Sequence, residues 1–132
     1  MKLNIFIDGA CRGNPGPSSI GVLIQDERGS TLKEHHRFIG EHTNNVAEYT
    51  ALLDALKLAK TLGGTKLHIR SDSQLLVRQF SGQYKVKNAR LLGFLIEIQG
   101  LRREFLSVDL VHIPREQNTS ADALANAALD QR

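Results

Sequence analysis

The chain has 132 residues, 41% of them apolar and 23% charged, with a formal net charge of +3. These are ordinary values for one soluble globular domain, residues 1–132, large enough to bury a core without staples. Cys11 has no partner for an internal disulfide, no apolar run is long enough to cross a membrane, and Met1 opens no cationic, apolar leader. A cytoplasmic monomer with no membrane contact is therefore expected.

In chain order, Lys2 to Asp8 reads as a strand, with Ile5, Phe6 and Ile7 adjacent as in a strand covered on both faces. A Gly/Pro turn over 9–17 follows, then a strand over Ile20–Gln25, a hairpin turn at Asp26–Ser30, and a strand over Thr31–Ile39. Short connections make these three strands antiparallel neighbours. From Asn44 to Leu62, Leu52, Ala55, Leu56, Ala59 and Leu62 repeat with helical period, and Gly63-Gly64 is a stop signal. Lys66–Ser71 gives a fourth strand and Gln74–Phe80 a short helix. Gln83–Lys87 is irregular, and Asn88–Phe105 reads as a helix interrupted by Gly93 and Gly100. Leu106–Ile113 is a fifth strand stopped by Pro114, and Thr119–Leu129 a last helix. Strands alternating with helices in the second half imply right-handed crossovers, hence a five-stranded mixed α/β sheet flanked by helices.

Four acids fall where a strand end or a first helical turn meets the core: Asp8, Glu48, Asp72 and Asp122. Each has a plain structural role open to it. Asp8 can open a turn, Asn45 with Glu48 is close to a capping box, Asp72 can cap a helix, and Asp122 can complement a helix dipole. Four together favour a carboxylate cluster that holds a metal, since hard oxygen ligands suit Mg²⁺ or Mn²⁺. A purely structural cluster needs cationic partners, and only Arg12 and Arg70 lie close in sequence. Elsewhere, Tyr84 to Arg90 carries the cations Lys85, Lys87 and Arg90 and no acid, a distribution that suits a polyanionic partner.

Four segments in this order resemble ribonuclease H of type 1: Asp8-Gly9-Ala10 with Gly13-Asn14-Pro15-Gly16, Thr43 to Glu48, Ser71 to Gln74, and Asn118 to Ala125. The resemblance implies strand order 3-2-1-4-5. It also implies endonucleolytic cleavage of the RNA strand of an RNA/DNA hybrid by two metal ions, leaving 5′-phosphate and 3′-hydroxyl ends. Asp8, Glu48, Asp72 and Asp122 are then the ligands of two Mg²⁺, with Mn²⁺ as a substitute. By position, Asn14, Thr43, Asn44, Asn45 and Gln74 match residues that contact the hybrid, and Gly13 lets its backbone approach. The alternative is a non-catalytic or differently specialised nucleic-acid-binding protein on the same fold.

Two departures from the family pattern stand out. The long basic protrusion of well-known members is reduced to Ser81–Asn88, leaving Lys85, Lys87 and Arg90 as the cations for phosphate contact. The loop before Asp122 is short. An ungapped count pairs the family's mobile loop histidine with His112, which falls inside the fifth strand, so Arg115 and Glu116 are the groups expected near the metals.

Overall fold

A computed structural model describes residues 1–132. Five strands, β1 (Lys2–Cys11), β2 (Gly16–Gln25), β3 (Thr31–His42), β4 (Lys66–Ser71) and β5 (Ser107–His112), form one sheet in the order β3-β2-β1-β4-β5. The pairs β1/β2 and β2/β3 are antiparallel, whereas β1/β4 and β4/β5 are parallel. Four α-helices complete the chain: α1 (Asn44–Thr61), α2 (Gln74–Phe80), α3 (Ala89–Arg102) and α4 (Thr119–Asp130).

The expected element order and pairing hold, with the largest shifts in the first three strands. β1 continues three residues past Asp8, because Gly9, Ala10 and Cys11 pair with Ile20, Ser19 and Ser18. Tertiary pairing thus overrides the weak strand preference of a Gly-Ala-Cys segment. β2 starts at Gly16 and β3 runs to His42, so the turn between β1 and β2 is tight. α3 ends at Arg102, and neither Gly93 nor Gly100 breaks it.

Along β1, Leu3, Ile5 and Ile7 are fully buried on the face covered by α1. They pack with Ile20, Val22 and Ile24 of β2 and with Leu52, Ala55, Leu56 and Ala59 of α1. Alanines at 47, 51, 55 and 59 recur every four residues, a small-residue stripe that lets α1 lie close to the sheet. α4 covers the other face of β1 and β2. It approaches so closely that a Cβ on Gly21 would lie 2.2 Å from the Ala121 carbonyl oxygen and 2.7 Å from the Ala125 nitrogen. Gly21 is the strand partner of Asp8, so this approach carries α4 and Asp122 toward Asp8.

A Cβ at Gly21 meets backbone that cannot rotate away. Gly21→Ala is expected to lift α4 and to destabilise the protein by about 1–3 kcal/mol, the usual cost of overpacking, measured from the denaturant midpoint.

Candidate active site

Parallel register decides which acids meet. Ile7 pairs with Ser71, so the next residues, Asp8 and Asp72, emerge side by side where the parallel pairing of β1 and β4 ends. α1 crosses the sheet above Gly9, and the Glu48 carboxylate accepts a short hydrogen bond from the Gly9 N–H. One carboxylate oxygen each from Asp8, Glu48 and Asp72 lies within 4.8 Å of the others. Asp122 arrives from α4 and lines the same cavity of about 470 Å³, close enough to add to the upward push on the Asp8 carboxyl.

The plain roles open to these acids are filled by other residues. Thr43 caps α1, its side chain accepting from the Val46 N–H at 3.2 Å, and Ser73 caps α2, accepting from the Leu76 N–H at 3.2 Å. Asp8 lies inside β1 rather than in a turn. Three of the four acids are thereby released from local duty.

The cluster is strongly desolvated. Burial first, then the fields of Glu48 and Asp72, push the Asp8 carboxyl up to about 9. Burial and then Asp72 push Glu48 up to about 8, against the downward pull of the Gly9 hydrogen bond. No ion pair relieves this. Arg12 is paired with Asp130, and Arg70 lies over the Phe6 ring with its guanidinium carbon 5.0 Å from the centroid. Converging, buried, uncompensated carboxylate oxygens fit a hard divalent cation, and these residues are the ones that could hold it.

Asn44 and Arg115 line the cavity beside the acids. Asn14 accepts from the Asn44 N–H at 3.1 Å, tying the β1/β2 turn to the start of α1, and Gly13 takes φ 96° in that turn. Asn45 is exposed on the first turn of α1 and Gln74 on the first turn of α2. Lys85 and Lys87 are exposed in the connection to α3, and Arg90 Nη2 lies 3.0 Å from His42 Nδ1. His112 is the last residue of β5, as its sequence context implies. Glu116 does not line the cavity. Arg115–Gln117 form one 3-10 turn, in which neighbours point about 120° apart, so Arg115 faces the acids and Glu116 faces solvent.

Sequence reasoning missed Asn118 and Asn126. Asn118 is 1% exposed; its Nδ2 donates to the Ile7 carbonyl at 2.8 Å and to Asp72 Oδ2 at 3.2 Å. Its Oδ1 is buried without a partner. A polar residue before a helix reads as a cap, and only the tertiary contact reveals its inward role. Asn126 lines the cavity and donates to the Asp122 carbonyl at 2.9 Å; its signal was the spacing of four from Asp122.

A five-stranded 3-2-1-4-5 sheet with acids where its two central parallel strands stop pairing, and further acids brought from helices on either face, defines the ribonuclease H-like α/β class. A family model described as reverse transcriptase-like matches residues 6–128. The RNase H1 of the archaeon Halobacterium salinarum superposes with TM-score 0.97 at 37% identity, covering all of both chains. LC11-RNase H1, solved in complex with an RNA/DNA hybrid, superposes with TM-score 0.93 at 46% identity, covering 98% of this chain and 97% of that one. The bifunctional protein Rv2228c of Mycobacterium tuberculosis is 44% identical over 131 residues, 98% of this chain. The chain spans 36% of that relative's length. The chain belongs to the ribonuclease H family.

Proposed function

We propose that this chain hydrolyses the RNA strand of RNA/DNA hybrids, leaving 5′-phosphate and 3′-hydroxyl ends. The observation that carries the reading is the convergence of Asp8, Glu48 and Asp72 within 4.8 Å, with none of the three in an ion pair. Family membership and the hybrid bound by LC11-RNase H1 supply the substrate class. Asp8, Glu48, Asp72 and Asp122 would hold two Mg²⁺, or Mn²⁺ in their place. Such ions, when bound, supply positive charge to an attacking water and to the leaving oxygen of a phosphodiester.

The chain's own groups do the rest. Asn14, Thr43, Asn44, Asn45 and Gln74 offer short neutral side chains in the β1/β2 turn and at the starts of α1 and α2, suited to minor-groove edges and 2′-hydroxyls without reading sequence. Arg115 offers a guanidinium suited to stabilising negative charge on the cleaved phosphate and not to a base's role. Lys85, Lys87 and Arg90 hold strand phosphates from outside the cavity. Incubation of labelled hybrid, duplex DNA and duplex RNA with Mg²⁺, Mn²⁺ or chelator tests the reading. Metal-dependent cutting of the RNA strand of the hybrid is expected, and an intact hybrid in every metal would refute it.

Replacing Lys85, Lys87 and Arg90 together by Ala is expected to raise KM and leave kcat nearly unchanged. The slope of log binding against log salt should flatten by at most about 0.9 for each phosphate that is no longer neutralised. An unchanged slope in a salt titration would make them an ordinary solvated face.

Arg115 lines the cavity and His112 belongs to β5. Arg115→Ala is therefore expected to reduce kcat by on the order of 10² with hybrid affinity preserved, and His112→Ala to do much less. Steady-state kinetics of both variants at one metal concentration separate the two, and a larger loss in a folded His112→Ala protein would reverse the assignment.

A further inference from the structure

A second cleft, of about 530 Å³, opens on the α4 side of the sheet among Asn4, Phe6, Gln25, Arg28, Arg70 and Gln117. The catalytic reading uses none of these residues. Two cations stand there without carboxylate partners: neither Arg28 nor Arg70 takes part in any ion pair of the chain. Arg70 is already oriented, with its guanidinium over the Phe6 ring at 5.0 Å from the centroid. A planar guanidinium held at an aromatic ring is a cation on which a second flat partner can stack. The carboxamides of Gln25 and Gln117 have no hydrogen-bond partner within the chain, and Asn4 uses only its Nδ2, on the Asp26 carbonyl at 3.3 Å.

We propose that this cleft is a second nucleotide site, in which a single unpaired nucleobase stacks on Arg70 and its phosphate meets Arg28. Each requirement of such a ligand has a counterpart. A π-face meets the guanidinium held at the Phe6 ring, base-edge donors and acceptors meet three carboxamides, and negative charge meets an unpartnered arginine. Glu27 shares the rim, which makes the cleft a poor trap for bare phosphate, while its carboxylate can accept from an exocyclic amine or a ribose hydroxyl. The volume suits one nucleotide and not a duplex.

The cleft also adjoins the acidic cavity. Phe6 lies two residues before Asp8 on the same strand, and Gln117 closes the 3-10 turn whose first residue, Arg115, lines that cavity. The nucleotide has two possible sources, a free mononucleotide or the unpaired end of a strand.

The test is amide chemical-shift mapping of the wild-type chain with 5′-AMP in the presence of chelator, so that no metal bridges phosphate to the acids. Shifts centred on Asn4, Gln25, Arg70 and Gln117 with a Kd on the order of 1 mM are expected, weakened about fivefold or more in Arg70→Gln and in Arg28→Ala. Arg28 lies in an exposed turn, so its variant reports even if Arg70→Gln folds poorly. Blunt hybrid and hybrid with a single-stranded RNA overhang are then compared under the same conditions. An overhang that tightens binding in the wild type but not in Arg70→Gln assigns the site to strand ends, whereas AMP shifts without an overhang effect assign it to free nucleotides. The proposal is overturned if AMP moves no amide in the cleft, if the shifts centre on Asp8 and Asp72, or if inorganic phosphate reproduces them with equal affinity.

Discussion

Asp8→Asn, Glu48→Gln and Asp72→Asn are each expected to lower kcat by on the order of 10³ or more while raising the thermal stability of the metal-free protein. The two effects share one origin. Each substitution removes a negative charge from a mutually repelling group of two buried acids and one half-buried acid, which relieves the fold and spoils the ligand set. The pH dependence has a definite sign. Asp8 rises from 3.8 to about 9 and Glu48 from 4.5 to about 8 on folding, so between those limits the folded chain binds more protons than the unfolded one. The stability these groups allow is therefore full below the unfolded values and is lost progressively as pH rises to about 8 to 9. Melting curves in chelator should show the Asp8→Asn advantage small at acid pH and growing toward pH 9. A variant that loses stability while still cutting hybrid would make the acids structural.

Gly9→Ala is expected to damage activity and stability together, unlike the acid variants. A Cβ at this position would lie 2.6 Å from both the Ala47 carbonyl carbon and the Glu48 nitrogen, which are helix backbone and cannot rotate aside. α1 must move off the sheet, and with it goes the hydrogen bond from the Gly9 N–H to Glu48. A displacement of about 1 Å in a ligand is enough to cost on the order of 10² in rate. Single-turnover cleavage together with a denaturant melt checks both halves of the expectation. Wild-type rate in the Gly9→Ala protein would show that the position of Glu48 is not critical.

Much of this was legible along the chain because hydrophobic period and acid placement are local signals. The stripe on α1 and the continuous apolar run in β1 mark a helix packed on a strand covered on both faces, and both survive in the structure. Which residue caps a helix was not legible. Thr43, Asn45 and Glu48 are all competent to cap the start of α1, and Ser73 and Asp72 that of α2; packing settles it by drawing Glu48 to Gly9 and Asp72 to Asn118. The extension of β1 past Asp8 depends on pairing with Ser18–Ile20, which no property of Gly9-Ala10-Cys11 announces. Arg115 and Glu116 looked equivalent until a 3-10 turn brought one to the cavity and turned the other away from it.

The central claim is that the Asp8, Glu48 and Asp72 carboxylates form a site whose repulsion is relieved by a divalent cation. A Mn²⁺ titration of the melting temperature at pH about 8, run on the wild type and on Asp8→Asn, tests it most directly, because ligand binding to the folded state alone raises stability with concentration. The wild type is expected to start lower and to climb saturably with Mn²⁺, while Asp8→Asn starts higher and climbs little. Equal responses in the two proteins, or no response in the wild type, would contradict it.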